Sequence, residues 1–576
     1  MSPIRIAVLG GSVAAGTLAK LDVFHDCLQY GTDTPNKVRE TQTWWSILGR
    51  ILGDWVRNGV EIVNATMSGD TAEAALRRVK QGSVPKSDYV LVLLGSDDAL
   101  AAAESSAFEG HLANILQCLS GAAATPVLIT PPPFSERLTQ KGLPLEQARR
   151  LQALVSHLAQ IVRTLAQNTS RPLIDLGDCA SGSRLIYDHL DEGWLPDAVA
   201  QLATATFVAG EMLDAIGVQG FPKLALCDFR KVYADPTRDN TKHNAFTDLT
   251  YFQGEFFVAF RNGRGHGDLE GGDYGSEIVL RSQDGINWVK DAVLQVPNLD
   301  NRDPKFLVAN GKLILYAPCT RPRTADTPIS TTTYGFERLS RGQWGEPFEC
   351  TECFFWRPKS WRGRYVVAPY VWPQRDAAVK LLASADGRRW EEESVICPYD
   401  SYNNETDLWT EGDELVAFSR HDPPEGDHSM QVSTFLESES RWETVSSGRI
   451  VQAPCVFESS GRLFVTGRTC AYPHDQFDLL GREFSKVGQG QPDGDLALAE
   501  KYHHGLRTGI FVMDHTRARQ VAELLSAGDS SYPGVVRYGE EYLISDYSMH
   551  EYYRPIRSGE SWKTPSDIYV WRMRIA

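Results

Sequence analysis

The chain reads as two folds in series. A three-layer α/β unit spans residues 1–222, and an all-β propeller spans 223–576, with six blades favoured over five. Three observations predict this. Up to residue 222, short β-branched runs alternate with helical stretches. Beyond about 225, long helical patterns stop and Gly-containing hairpins recur roughly fifty residues apart, a spacing typical of propeller blades. Two of those repeats share the turn sequence Ser-x-Asp-Gly-x-x-Trp.

The strand candidates of the first unit are 4–10, 60–66, 88–95, 125–130 and 171–176. Their nearly unbroken apolar character suits parallel strands covered on both faces. Helical periodicity is clearest at 145–168 and 196–217. In the second unit the repeated hairpins are 247–261, 303–318, 357–370, 405–420, 453–468 and 532–548. The segment 471–527, which holds His503 and His504, reads as an insertion to which the sequence assigns no role. The shared turns are Ser282 to Trp288 and Ser384 to Trp390. In each, Ser and Asp side chains can bond turn amides, Gly permits positive φ, and Trp packs beneath.

Composition excludes several classes. The 576 residues carry a formal net charge of −16, which weighs against a nucleic-acid surface. With 42% hydrophobic and 23% charged residues, the chain is not wholesale disordered. No apolar run is long enough for a membrane-spanning helix. The start MSPIRIAVLGGS enters a strand at once without a leader pattern, so a cytoplasmic protein is expected. Ten cysteines lack framework spacing, and the pair Cys350 and Cys353 has no matching second pair. Reduced cysteines are expected, with no metal and no cofactor. Oligomeric state is not legible.

Ser12 follows Gly10-Gly11 at the carboxyl edge of the first strand, where α/β sheets place ligands. With Asn64-Ala-Thr-Met-Ser-Gly69, Gly95-Ser96-Asp97-Asp98 and Asp191-Glu-Gly-Trp194, this region resembles the SGNH, or GDSL, hydrolase family, a flavodoxin-like fold. The resemblance puts Ser12 in the nucleophile slot and Gly69 in the oxyanion hole. It also exposes departures. Gly11 stands for Asp, Asp97 for the oxyanion Asn, and Trp194 for the catalytic His, while His189 is off spacing. A carboxylate opposes a developing oxyanion, and Trp accepts no proton. The expectation is a retained fold with its hydrolase chemistry lost or altered, serving as scaffold, binding module or interface.

In a propeller the starts of the inner strands converge at one end. Here they carry His243, Asn244, Asp248, Arg302, Asp303, Arg357, Asn404, Glu405, Gln452, Ser531 and Tyr532. So many polar groups predict a solvated funnel. The Asp-containing turns resemble the Asp boxes of sialidases, and residues from about 228 onward resemble the sialidase superfamily. That resemblance implies Asp273 as acid/base, Tyr532 as nucleophile with Glu405 as its base, and Arg420 and Arg468 as carboxylate clamps, with Asp546 and Glu551 downstream. The family's first arginine is absent from His243-Asn-Ala-Phe-Thr-Asp248; Arg261, Arg302 or Arg357 would have to replace it. Failing that, His243 gains weight and Asp248 or Asp303 could pair with Glu405 in a two-carboxylate mechanism. The expected function is an exo-acting glycoside hydrolase on a terminal acidic or modified sugar, with a carbohydrate or glycoconjugate as partner. The alternatives are a carbohydrate-binding protein built on two degenerate folds, and an esterase or acyltransferase whose propeller holds a glycan. An anionic sugar requires Arg261, Arg302, Arg357, Arg420 and Arg468 to face the channel.

Overall fold

The computed structural model describes residues 2–15, 43–135, 137–140, 142–178, 185–186, 190–191, 195–234, 243–267, 274–322, 329–371, 377–472, 474–488, 491, 493–551 and 565–576. The first unit holds five parallel strands: β1 (Ile4–Gly10), β2 (Val60–Asn64), β3 (Tyr89–Leu93), β4 (Thr125–Ile129) and β5 (Leu173–Ile174). Their order, β2-β1-β3-β4-β5, is that of a flavodoxin-like sheet. Alternate residues serve different layers. Ile6, Val8, Leu91 and Leu93 join one core, while Ala7, Leu9, Val90 and Val92 join the other. Burial on both faces is why these strands read as continuous apolar runs. Helices Ala72–Lys80, Ser105–Gly121 and Leu145–Asn168 cover one face; Trp44–Trp55 and Ala198–Ala215 cover the other.

The helix Ala198–Ala215 is buried almost all round, because the propeller lies against its far side. Asp197 caps it, accepting from the backbone N–H of Val199 (2.8 Å) and Ala200 (3.0 Å). Trp44–Trp55 packs on the strand Arg517–Leu524 of the propeller. There Arg50 makes a two-point ion pair with Glu523 (2.6 and 2.7 Å), and Trp55 Nε1 donates to the carbonyl of Gln520 (2.8 Å).

The second unit is a propeller of six antiparallel blades, as the hairpin count favoured. The innermost strands begin at His243, Asp300, Lys359, Asn403, Gln452 and Ser531. The ring closes through Leu224–Tyr233, which pairs antiparallel with Asp567–Ile575 and so completes the last blade with chain that precedes the first. Both Ser-x-Asp-Gly turns adopt the expected geometry. Asp284 Oδ1 accepts from the N–H of Ile286 and Asn287 (both 2.8 Å), and Gly285 N–H donates to Ser282 Oγ (2.9 Å). The turn at Asp386 repeats these bonds, and Tyr316 of the neighbouring blade donates to the Gly387 carbonyl (2.6 Å).

The insertion is shorter than its sequence suggests. Leu506–Asp514 and Arg517–Leu524 are the two outer strands of the fifth blade, so the added segment is 471–505, with helices His474–Gly488 and Leu496–Gly505. Among the described residues no helix is long and apolar enough to cross a membrane, and eight cysteines are free thiols.

Candidate active site

Four of the six inner strands begin with a bulge. Register shifts fall at Asn403/Thr406, Gln452/Cys455 and Ser531/Gly534, and opposite Ala259/Arg261 in the first blade. Left-handed backbone occurs at Phe246 (φ 62°), Asp303 (φ 45°), Ala453 (φ 52°), Ser531 (φ 88°) and Tyr532 (φ 50°). Bulges re-aim side chains, and strained non-glycine residues concentrate at functional sites. Here they turn polar side chains toward the end of the central channel.

Two adjoining cavities open there. The smaller, about 160 Å³, is lined by Arg302, Asp303, Tyr370 and Glu405 among others. The larger, about 720 Å³, is walled by the inserted helices through Phe477, Phe484, Tyr502 and His503. His266, Arg420, Asp422 and Tyr532 line both.

At the junction, the Tyr532 hydroxyl donates to Glu405 Oε1. Arg420 Nη1 lies 3.1 Å from both Glu405 oxygens and 3.4 Å from the Tyr532 hydroxyl, while its Nε pairs with Asp422 (2.7 Å). Ala453 N–H donates to Glu405 Oε2 (2.9 Å), so the bulge of the next blade fixes this carboxylate. Burial, and then the charge of Glu405, hold the Tyr532 phenol well above its ordinary pKa. Glu405 is the carboxylate that accepts this hydroxyl's hydrogen bond.

Asp529 is the second hub. His243 Nε2 (2.9 Å) and His266 Nδ1 (2.6 Å) meet its Oδ2, and Arg468 Nη2 (2.8 Å) and the Tyr547 hydroxyl (2.7 Å) donate to Oδ1. Burial works to raise this carboxyl, but the charge of His266 and the hydrogen bonds of both histidines hold it well below the usual carboxylate range. His243, His266 and Asp529 form a nitrogen–oxygen set that could hold a metal. The same atoms already satisfy one another as hydrogen bonds.

Sequence-derived candidates divide three ways. Asp303, Glu405, Tyr532, Arg302, Arg420 and Arg468 line the cavities. Burial pushes Asp303 up to about 6. Asp248, Arg357, Arg261, His243 and Glu551 line neither. Asp248 pairs with Arg357, and Arg261 with Asp300 (2.8 Å), all of them buried. The solvated funnel expected of these charges is corrected: part of the set is a buried ion-pair layer beneath the cavities, stabilised by charge pairing instead of water. His243 is fully buried behind His266. Glu551 accepts from Tyr569 (2.9 Å) and pairs with Lys231 away from the channel, and Asp546 is fully buried. Asp273 lies outside the described residues. His266, Asp422, Asp529 and Tyr547 were not singled out from sequence. Only Asp529 carried a signal, three residues before Tyr532.

In the first unit, Ser12 is buried. Its Oγ donates to Asp97 Oδ1 (2.8 Å) and accepts from Gly69 N–H (2.9 Å); its own N–H donates to Asp97 Oδ2 (2.7 Å). Backbone amides that would face an oxyanion are thus occupied by side chains of the protein itself. Burial raises the Asp97 pKa. Gly11 is required, since a Cβ there would sit 2.0 Å from Asp97 Oδ2. Trp194 and His189 lie outside the described residues.

Residues 8–202 match the GDSL-like Lipase/Acylhydrolase family profile, about a third of the chain. No curated protein matches the chain. Among solved structures, the first unit is similar to TesA (20% identity, 36% of this chain and 97% of that one, TM-score 0.27). The propeller is similar to a mutant of Trypanosoma rangeli sialidase displaying trans-sialidase activity (11% identity, 57% and 54% covered, TM-score 0.39). It is also similar to the phage phi92 endosialidase (11% identity, 61% and 69% covered, TM-score 0.40).

Proposed function

We propose that the propeller is an exo-acting glycoside hydrolase on a terminal, acidic or modified sugar. The observation that carries this reading is the Tyr532–Glu405–Arg420 cluster at the junction of the two cavities. Glu405 takes the phenol proton as Tyr532 attacks the anomeric carbon. The bond to the leaving oxygen breaks and an acid protonates that oxygen; water then attacks the anomeric carbon of the aryl glycosyl–tyrosine, Glu405 returns its proton to the departing phenolate, and the configuration is retained. Arg302, Arg420 and Arg468 would receive an anionic group.

Carbohydrate binding without turnover is the second reading, and one observation favours it. All three arginines already face protein carboxylates: Arg302 with Asp303 (3.6 Å), Arg420 with Glu405 and Asp422, Arg468 with Asp529. An anionic sugar must compete with these partners.

The test is a screen of aryl glycosides of neutral and acidic sugars, including nonulosonic and octulosonic ketosides. Release by the native protein should fall by about 10³-fold in Tyr532→Phe and Glu405→Gln while both stay folded. No release from any glycoside, with glycan binding equal in all three proteins, would leave the binding reading in its place.

A further inference from the structure

We propose that the helical insertion 471–505 builds a binding site for a second sugar residue, so that the ligand is an oligosaccharide or glycoconjugate continuing outward from the reacting sugar. This rests on the glycosidase reading above, and it holds equally for binding without turnover. The small cavity is lined by residues of the six blades alone, among them Arg302, Asp303 and Glu405. An exo-acting site takes the end of a chain into its innermost space, and the rest must leave through the wider one. That wider space is the large cavity. It shares Tyr532 with the small one, and at about 720 Å³ it has the size of a whole small-molecule site.

The wall supplied by the insertion is fixed in place. Helix His474–Gly488 is tied to the loop between the second and third strands of the fourth blade. There Asp478 meets His428 Nε2 (2.9 Å) and accepts from Gly426 N–H (3.2 Å), and Arg482 pairs with Glu425 (3.2 Å). Phe477, Phe484 and Tyr502 line the cavity as one cluster, Tyr502 lying 5.4 Å from Phe477 and 5.2 Å from Phe484 between ring centroids. The blades contribute Asp422 and Gln452 to the same cavity. A sugar ring suits such a mixture: its C–H faces pack on aromatic rings, while the hydroxyls at its edge require hydrogen bonds. His503 brings a polar group to the aromatic side. Its ring stacks parallel to Phe484 (5.7 Å, 6°), is 2% exposed, and has no hydrogen-bond partner at either nitrogen among the described residues. Folded proteins rarely leave such groups unmet. Burial pushes the His503 pKa down to about 4, so the neutral ring offers one donor and one acceptor, a match for hydroxyls and not for an anionic group.

The test uses the full chain and three glycosides of the terminal sugar identified by the screen above: methyl, n-octyl and lactose-linked. The readout is kcat/KM, or 1/Kd where the sugar is bound without turnover, for each extended glycoside relative to the methyl one. The native protein should prefer the lactose-linked glycoside over both others by about 10-fold or more. Tyr502→Ala should remove most of that preference. His503→Phe, which keeps a ring stacked on Phe484, should lower it about fivefold. Melting curves check that both variants stay folded. Equal values for the methyl and lactose-linked glycosides in the native protein would overturn the second-sugar site while leaving the glycosidase reading intact. So would a preference that neither substitution changes. An n-octyl gain matching the lactose gain would overturn it too, since the wall would then be a general apolar surface. A native protein that neither cleaves nor binds any glycoside sinks the parent reading and this one with it.

Discussion

Ser12 and Tyr532 each place a hydroxyl on a carboxylate, and their surroundings give them opposite prospects. At Tyr532 the carboxylate is Glu405, steadied by Arg420 and by the Ala453 amide, and both cavities reach the pair. At Ser12 the carboxylate is Asp97, which also takes the Ser12 amide, while the Gly69 amide is spent on Ser12 Oγ. A tetrahedral intermediate on Ser12 would put its oxyanion against the Asp97 carboxylate, where repulsion replaces stabilisation. Among the described residues, no histidine is hydrogen-bonded to Ser12. Any turnover of p-nitrophenyl acetate should therefore be unchanged, within about twofold, in Ser12→Ala. A drop of about 10²-fold or more would restore the esterase reading for the first unit.

The inner strands show what sequence reveals at the level of an element. Their hairpins were legible because alternation and glycine turns survive in every blade. Their bulges were not, since Phe246, Asp303, Ala453, Ser531 and Tyr532 adopt left-handed backbone without a glycine to announce it. The buried charge layer was missed for a related reason: sequence shows that a residue is charged, not which blade supplies its partner. Glu277, on the third strand of the first blade, belongs to that layer. It is fully buried, neither carboxyl oxygen has a hydrogen-bond partner among the described residues, and burial pushes its pKa up to about 8. Below the ordinary value of 4.5, folded and unfolded chains both hold the proton. Between there and about 8, only the folded chain keeps it, so stability from this group falls as pH rises, by up to about 1.4 kcal/mol per pH unit. Glu277→Gln should flatten that part of the stability profile. Denaturant midpoints from pH 5 to 9 check this, and parallel profiles for the two proteins would contradict it.

At the scale of the whole molecule, the order of the two folds was readable from the change of period near residue 225, but their union was not. Helices 44–55 and 198–215 show ordinary apolar patterning, and nothing in a single sequence says whether such a face meets its own sheet or another unit. In the structure, one hydrophobic core runs from Ile6 and Leu48 through Val208 to Val521, Leu524 and Trp571, joining the α/β sheet to the fifth and sixth blades. A shared core predicts that the two units unfold together. Glu523 is the sensitive point of that seam. It is 1% exposed, and Arg50 from the other unit is its two-point partner. Removing one member of a buried ion pair leaves an uncompensated charge, at a cost of about 3–5 kcal/mol. Gln520 Nε2, 2.8 Å from Glu523 Oε1, and the nearby charge of Arg507 soften the loss without replacing it. Arg50→Ala should therefore lower the melting temperature of the entire chain in a single transition, although the changed residue lies in the first unit. Calorimetry alongside near-ultraviolet circular dichroism, to which the Trp-rich propeller contributes strongly, gives the measurement. If the first unit melts early while the propeller signal keeps its native midpoint, the seam is a contact between independent domains and not a common core.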